Sequence, residues 1–102
     1  MTRIEAMDWL KKDIENYLYI CGGCSTNEYS KEYIKTFYDA GIIKVEVEER
    51  NLDEDDDENG RDAIFVTINP DKISKKTLSI FAELCGDEFD EIEPNVFRIW
   101  WD

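Results

Sequence analysis

The chain has 102 residues, 42% of them hydrophobic and 13% aromatic, and a formal net charge of −13. That length suits one domain with a self-sufficient core, and that apolar content argues against global disorder. No apolar run approaches the roughly 20 residues of a membrane-spanning helix, and so acidic a chain repels nucleic acid and anionic lipid.

The opening stretch MTRIEAMDWLKKDIE lacks the apolar run of an export signal. With three cysteines, an odd number, this predicts a protein of the reducing cytoplasm. A first helix is expected from Thr2 to Cys21. Thr2 and Glu5 form a capping box, and Met7, Leu10, Ile14, Leu18 and Cys21 recur at helical spacing. Gly22-Gly23 ends it. Ser25 and Glu28 form a second box, and a helix from Asn27 to Ala40 places Tyr29, Tyr33, Phe37 and Ala40 on one face before Gly41.

The period then changes to two. From Ile42 to Glu49, Ile43, Val45 and Val47 alternate with Lys44, Glu46 and Glu48, as on a strand with one buried and one wet face. Ala63 to Ile68 is a second strand, with Ile64, Val66 and Ile68 inward. Between them lies an acidic hairpin loop, about 50–62, with the turn dipeptide Asn59-Gly60. Asn69-Pro70-Asp71 is expected to open a third helix, with Ile73, Thr77, Ile80, Phe81 and Leu84 inward and Gly86 at its end. Glu88 to Ile92 is expected as a short strand, Pro94-Asn95 as a turn, and Val96 to Trp101 as the last strand. The order α-α-β-β-α-β-β predicts an α+β fold of one domain, with four mostly antiparallel strands and helices on one face.

The acidity is concentrated. Residues 46–62 hold ten acids and two arginines, residues 83–102 hold seven acids and one arginine, and the remainder is close to neutral. Asp55, Asp57, Asn59 and Gly60 fit the first, third, fifth and sixth positions of an EF-hand calcium loop. The fit then fails. The twelfth position is Val66 instead of a bidentate glutamate, the eighth is Asp62, and strands flank the loop. The preferred reading is a solvated hairpin tip. Calcium held by Asp55, Asp57, Asn59 and Asp62 is the alternative.

Cys21-Gly22-Gly23-Cys24 has the spacing of a redox dithiol or half a zinc site. It follows a helical pattern, though, and only Cys85 remains as a third cysteine, with no histidine anywhere, so a Cys-based redox protein, or a zinc protein with three cysteines and a carboxylate, stands as the further alternative after calcium. The lack of histidine also removes the usual general base and every Ser-His or Cys-His nucleophile pair. No glycine-rich phosphate loop is present. The expectation is therefore no enzymatic activity and no cofactor.

In the last strand Phe97, Ile99 and Trp101 share the core face, which puts Arg98 and Trp100 together on the opposite one. There Trp100 either packs across the strand on neighbouring side chains, the preferred reading, or stacks on Arg98 as an interface anchor. Glu46 and Glu48 lie about 6.7 Å apart along their strand. Rows of carboxylates of this kind occur on inhibitors that imitate nucleic acid and on small immunity proteins that block basic nucleases, an analogy of charge alone. The functional expectation is a protein-binding module. It would present Glu46, Glu48, Asp53, Glu54, Asp55, Asp56, Asp57, Glu58, Arg98 and Trp100 to a basic partner protein, with no direct binding to nucleic acid or membrane. Its lysines are too few to favour nucleic acid against the total charge.

Overall fold

The computed structural model describes residues 3–12, 18–20, 26–48, 60–61, 63–85 and 88–100. The chain runs β1 (Arg3–Glu5), α1 (Ala6–Lys11), β2 (Tyr19–Ile20), α2 (Asn27–Asp39), β3 (Lys44–Glu48), β4 (Gly60–Arg61), β5 (Ala63–Thr67), α3 (Lys75–Cys85), β6 (Glu88–Glu93) and β7 (Val96–Trp100). It is an α+β fold. Five antiparallel strands form one sheet in the order β1-β3-β5-β7-β6, and β2 pairs in parallel with β4 in a second, two-stranded sheet.

The strand periodicity is realised. Val45 and Val47, Ile64 and Val66, and Phe97 and Ile99 are buried on one face, and register pairs Val45 with Val66, Val66 with Phe97 and Ile64 with Ile99. All three helices feed the same cluster. Trp9 and Leu10 come from α1, Tyr33, Ile34 and Phe37 from α2, and Leu78 from α3. Phe89 stacks on Phe97 with ring centroids 4.9 Å apart. The expected turn joins β6 to β7, with Asn95 in the left-handed region at φ 65°, where asparagine is among the better tolerated residues.

The start of the chain departs from expectation. Arg3–Glu5 is a fifth strand, and the helix after it has only six residues. Ile4 pairs with Val47, so the edge of β3 takes up a segment that local propensity assigns to a helix. The cap is Glu5, whose carboxylate accepts the Asp8 N–H at 2.7 Å; Thr2 lies outside the described residues. The helical spacing of Met7 and Leu10 is used over this short helix only. The Leu10 carbonyl, which a longer helix would direct to residue 14, accepts from Asn27 Nδ2 at 3.2 Å. The same nitrogen donates to the Leu18 carbonyl at 2.8 Å. Ile14 and Cys21 lie outside the described residues.

Three phases are also corrected. Ile43 is 57% exposed and Ile42 is buried, because Gly41 turns the chain at φ +98° and the strand begins only at Lys44. The second helix is capped by Thr26, which accepts from Tyr29 N–H at 3.2 Å, and Tyr29 faces solvent. The third helix begins at Lys75, not at Pro70. Asn69 organises a separate turn, accepting Asp71 N–H on its side chain and Lys72 and Ile73 N–H on its carbonyl. Ser74 then accepts from Thr77 N–H at 3.1 Å. Ile73 is buried but precedes the helix, so it does not set the helical phase: Leu78 points inward while Thr77 and Ile80 are exposed.

Candidate functional site: the far sheet face and the base of the acidic segment

Alternation sends Glu46, Glu48, Phe65, Arg98 and Trp100 to the face away from the buried cluster. Register places Glu46 beside Phe65, Phe65 beside Arg98, and Arg98 beside Asp90. Glu48 lies across from Arg3, and Trp100 across from Ala63. Four of the residues expected to meet a partner (Glu46, Glu48, Arg98 and Trp100) therefore share one surface. The Arg98 guanidinium stands 5.5 Å from the centre of the Trp100 ring, the less preferred of the two arrangements expected for that tryptophan. Both side chains are half-buried.

This face is less wet than alternation implies. Phe65 is only 6% exposed. The guanidinium of Arg3 lies over its ring at 4.9 Å and reaches Glu93 at 3.6 Å. Glu46 is half-buried and pairs with Lys44 at 3.6 Å. The sequence signal for Phe65 was an aromatic at an outward strand position. For Arg3 there was none, because three residues are too few to reveal alternation.

The base of the acidic segment is built around Arg61, a residue that sequence reasoning did not single out. Arg61 is 5% exposed. Its Nε donates to the Glu48 carbonyl at 2.8 Å, and its guanidinium lies 4.7 Å from the Trp9 ring centre. Gly60 and Arg61 also pair with Tyr19 and Ile20. The end of β3 and the return of the chain at β4 are thus joined by one side chain resting on α1. Asp53, Glu54, Asp55, Asp56, Asp57, Glu58, Asn59 and Asp62, which include every expected calcium ligand, lie outside the described residues, as do Cys21 and Cys24. Cys85 is the last residue of α3. Among the described residues, no three acid or cysteine side chains gather to hold a metal ion, and no helix is long and apolar enough to cross a membrane.

Two titratable groups are displaced from their ordinary range. Burial, and then the hydrogen bond it donates to Glu5, push the Tyr38 phenol up to about 12. Its oxygen also accepts from Val45 N–H at 3.0 Å, so Tyr38 links α2 to β1 and β3. Glu91 is held below the usual carboxylate range by Lys75 at 2.7 Å and then by the Asn95 N–H at 3.1 Å. These contacts tie the start of α3 to the β6–β7 turn. Comparison with protein families, with curated proteins and with solved structures finds no match for this chain.

Proposed function

We propose that the chain is a non-enzymatic protein-binding module that presents the acid-rich segment 46–62 and the adjoining far face of the sheet to a basic partner. The observation that carries this reading is the Arg61 clamp. It holds Glu48 and Gly60-Arg61 together, so the ten acids of residues 46–62 belong to a segment whose ends are gathered at one place. A concentration of one sign of charge steers a basic surface and speeds encounter, an effect that salt screens. The stacked Arg98 and Trp100 on the same face supply the kind of side chains that anchor interfaces. With no histidine in the chain, acid–base catalysis at neutral pH lacks its usual group. The odd number of cysteines, three, fits a role in the reducing cytoplasm.

The test is affinity capture from lysate at low salt, comparing the wild type with a variant in which Asp55, Asp56, Asp57 and Glu58 become Asn or Gln. The expected result is a basic protein held by the wild type, released by salt and lost by the variant. Capture that is indifferent to these four charges would refute the assignment of the site.

A further inference from the structure

The outer edge of β6 offers a second means of holding such a partner. This strand ends the sheet order and pairs with β7 on its inner side. Among the described residues, no strand pairs with its other side. A strand bonded on one side directs every second N–H and C=O outward, a template for another strand. The opposite edge of the sheet differs: β1 has three residues and runs directly into α1.

We propose that β6 takes up an extended basic segment of a partner protein as an added strand. This rests on the acidic-surface reading above and specifies how the partner is gripped. From Glu88 to Glu91 the pairing with β7 is regular, and the register shift comes only between Glu91 and Glu93. The strand reads Glu-Phe-Asp-Glu-Ile-Glu, with four acids and no base. Asp90, Glu91 and Glu93 are exposed. Glu91 and Glu93 are oriented by Lys75 and Arg3, and carboxylates engaged in this way keep further acceptor positions. Beyond the straight part of the strand, Lys75, Glu91, Ile92, Glu93, Pro94 and Asn95 line an open groove of about 520 Å³. Ile92, 44% exposed, is the apolar side chain other than proline among them. The edge therefore fits a strand whose lysines or arginines alternate with apolar residues. Backbone pairing would provide affinity and the side chains specificity. A second copy of this chain is a poor occupant, because pairing β6 with β6 sets acids opposite acids.

The probes are synthetic peptides of alternating lysine and valine, titrated into the full-length wild type at low salt. One peptide is unmodified, one is N-methylated at every second residue, and one at every residue. All carry the same charge, but the second keeps one hydrogen-bonding edge and the third keeps none. The unmodified and half-methylated peptides are expected to bind alike, the fully methylated one at least about tenfold more weakly. Amide exchange along β6 should slow in the bound state. Equal binding by all three, or unchanged exchange along β6, overturns strand addition but leaves attraction by charge intact. Failure of every peptide to bind, while the four-charge variant still loses its captured protein, overturns strand addition alone. Slowed exchange along β6 without peptide, rising with protein concentration, would assign the edge to a second copy and also overturn the proposal.

Discussion

Asn27, at the start of α2, ties the end of α1 to the segment that enters β2. It is 4% exposed, and its amide nitrogen donates to the carbonyls of Leu10 and Leu18. Asn27→Ala leaves both acceptors without that donor. A buried group stripped of its partner costs about 1–3 kcal/mol. Leu10 O lies in a buried bond, so the loss expected is about 1–3 kcal/mol. Helix propensity does not confound the comparison, since alanine is a good helix former at the first residue of α2. Asn27→Asp is the sharper probe. Its carboxylate would face two carbonyl oxygens, although an acid at a helix start gains about 0.3–1 kcal/mol from the dipole. Only the protonated acid can donate, so its folded pKa is raised above the unfolded value of about 3.9. The deficit relative to wild type is then smallest below that pH and grows as pH rises through the folded pKa. Urea unfolding followed by tryptophan fluorescence, for both variants and wild type across that range, measures these differences. A loss below about 0.5 kcal/mol for Asn27→Ala, or a deficit for Asn27→Asp that does not shrink in acid, would refute the pinning role.

Phe65→Ala is expected to cost about 3 kcal/mol despite its outward position, read as a shift in urea midpoint; a surface-like loss would remove Phe65 and Arg3 from the account of the far face. In an ultraviolet titration the Tyr38 phenol should stay un-ionised until about pH 12, and the difference between wild type and Tyr38→Phe should isolate that late step. Because the folded pKa of Tyr38 is raised, its contribution to stability is fully present below the unfolded pKa of about 10 and is lost as pH rises from there through about 12. Neutralising Asp55, Asp56, Asp57 and Glu58 should leave the melting temperature unchanged or higher, as like-charge repulsion is relieved. Calcium should move the wild-type melting temperature no more than magnesium does; a rise specific to calcium would make the segment a cation site.

Much of the fold could be read in advance where the signal was local. The alternation in β3, β5 and β7 was strong because each strand has a buried face, and a slip of one residue would expose every valine and isoleucine in it. The β6–β7 hairpin was announced by Pro94-Asn95, and α2 by Tyr33 and Phe37 at helical spacing, although its cap is Thr26 and not Ser25. That Arg98 and Trp100 share a face followed from strand parity alone; their contact did not. The failures share one feature. Arg3-Ile4-Glu5 is a strand because β3 lies beside it, not because three residues prefer that state. Residues 69–74 carry a plausible helix start, but Asn69 closes a turn of its own and α3 begins later. For the candidate site, Glu46, Glu48, Arg98 and Trp100 could be placed on a common face, whereas Arg61 and Phe65 could not be given their roles.

By itself, then, the sequence determined the α+β class, the inward phase of the central strands and the concentration of acid in two segments, since each depends on residues near one another in the chain. Tertiary structure alone decided the order β1-β3-β5-β7-β6, the burial of Phe65 under Arg3 and the seating of Arg61 between Trp9 and the Glu48 carbonyl. Those contacts join residues distant in the chain, and the free energy that selects them comes from packing and hydrogen bonding that no local window contains.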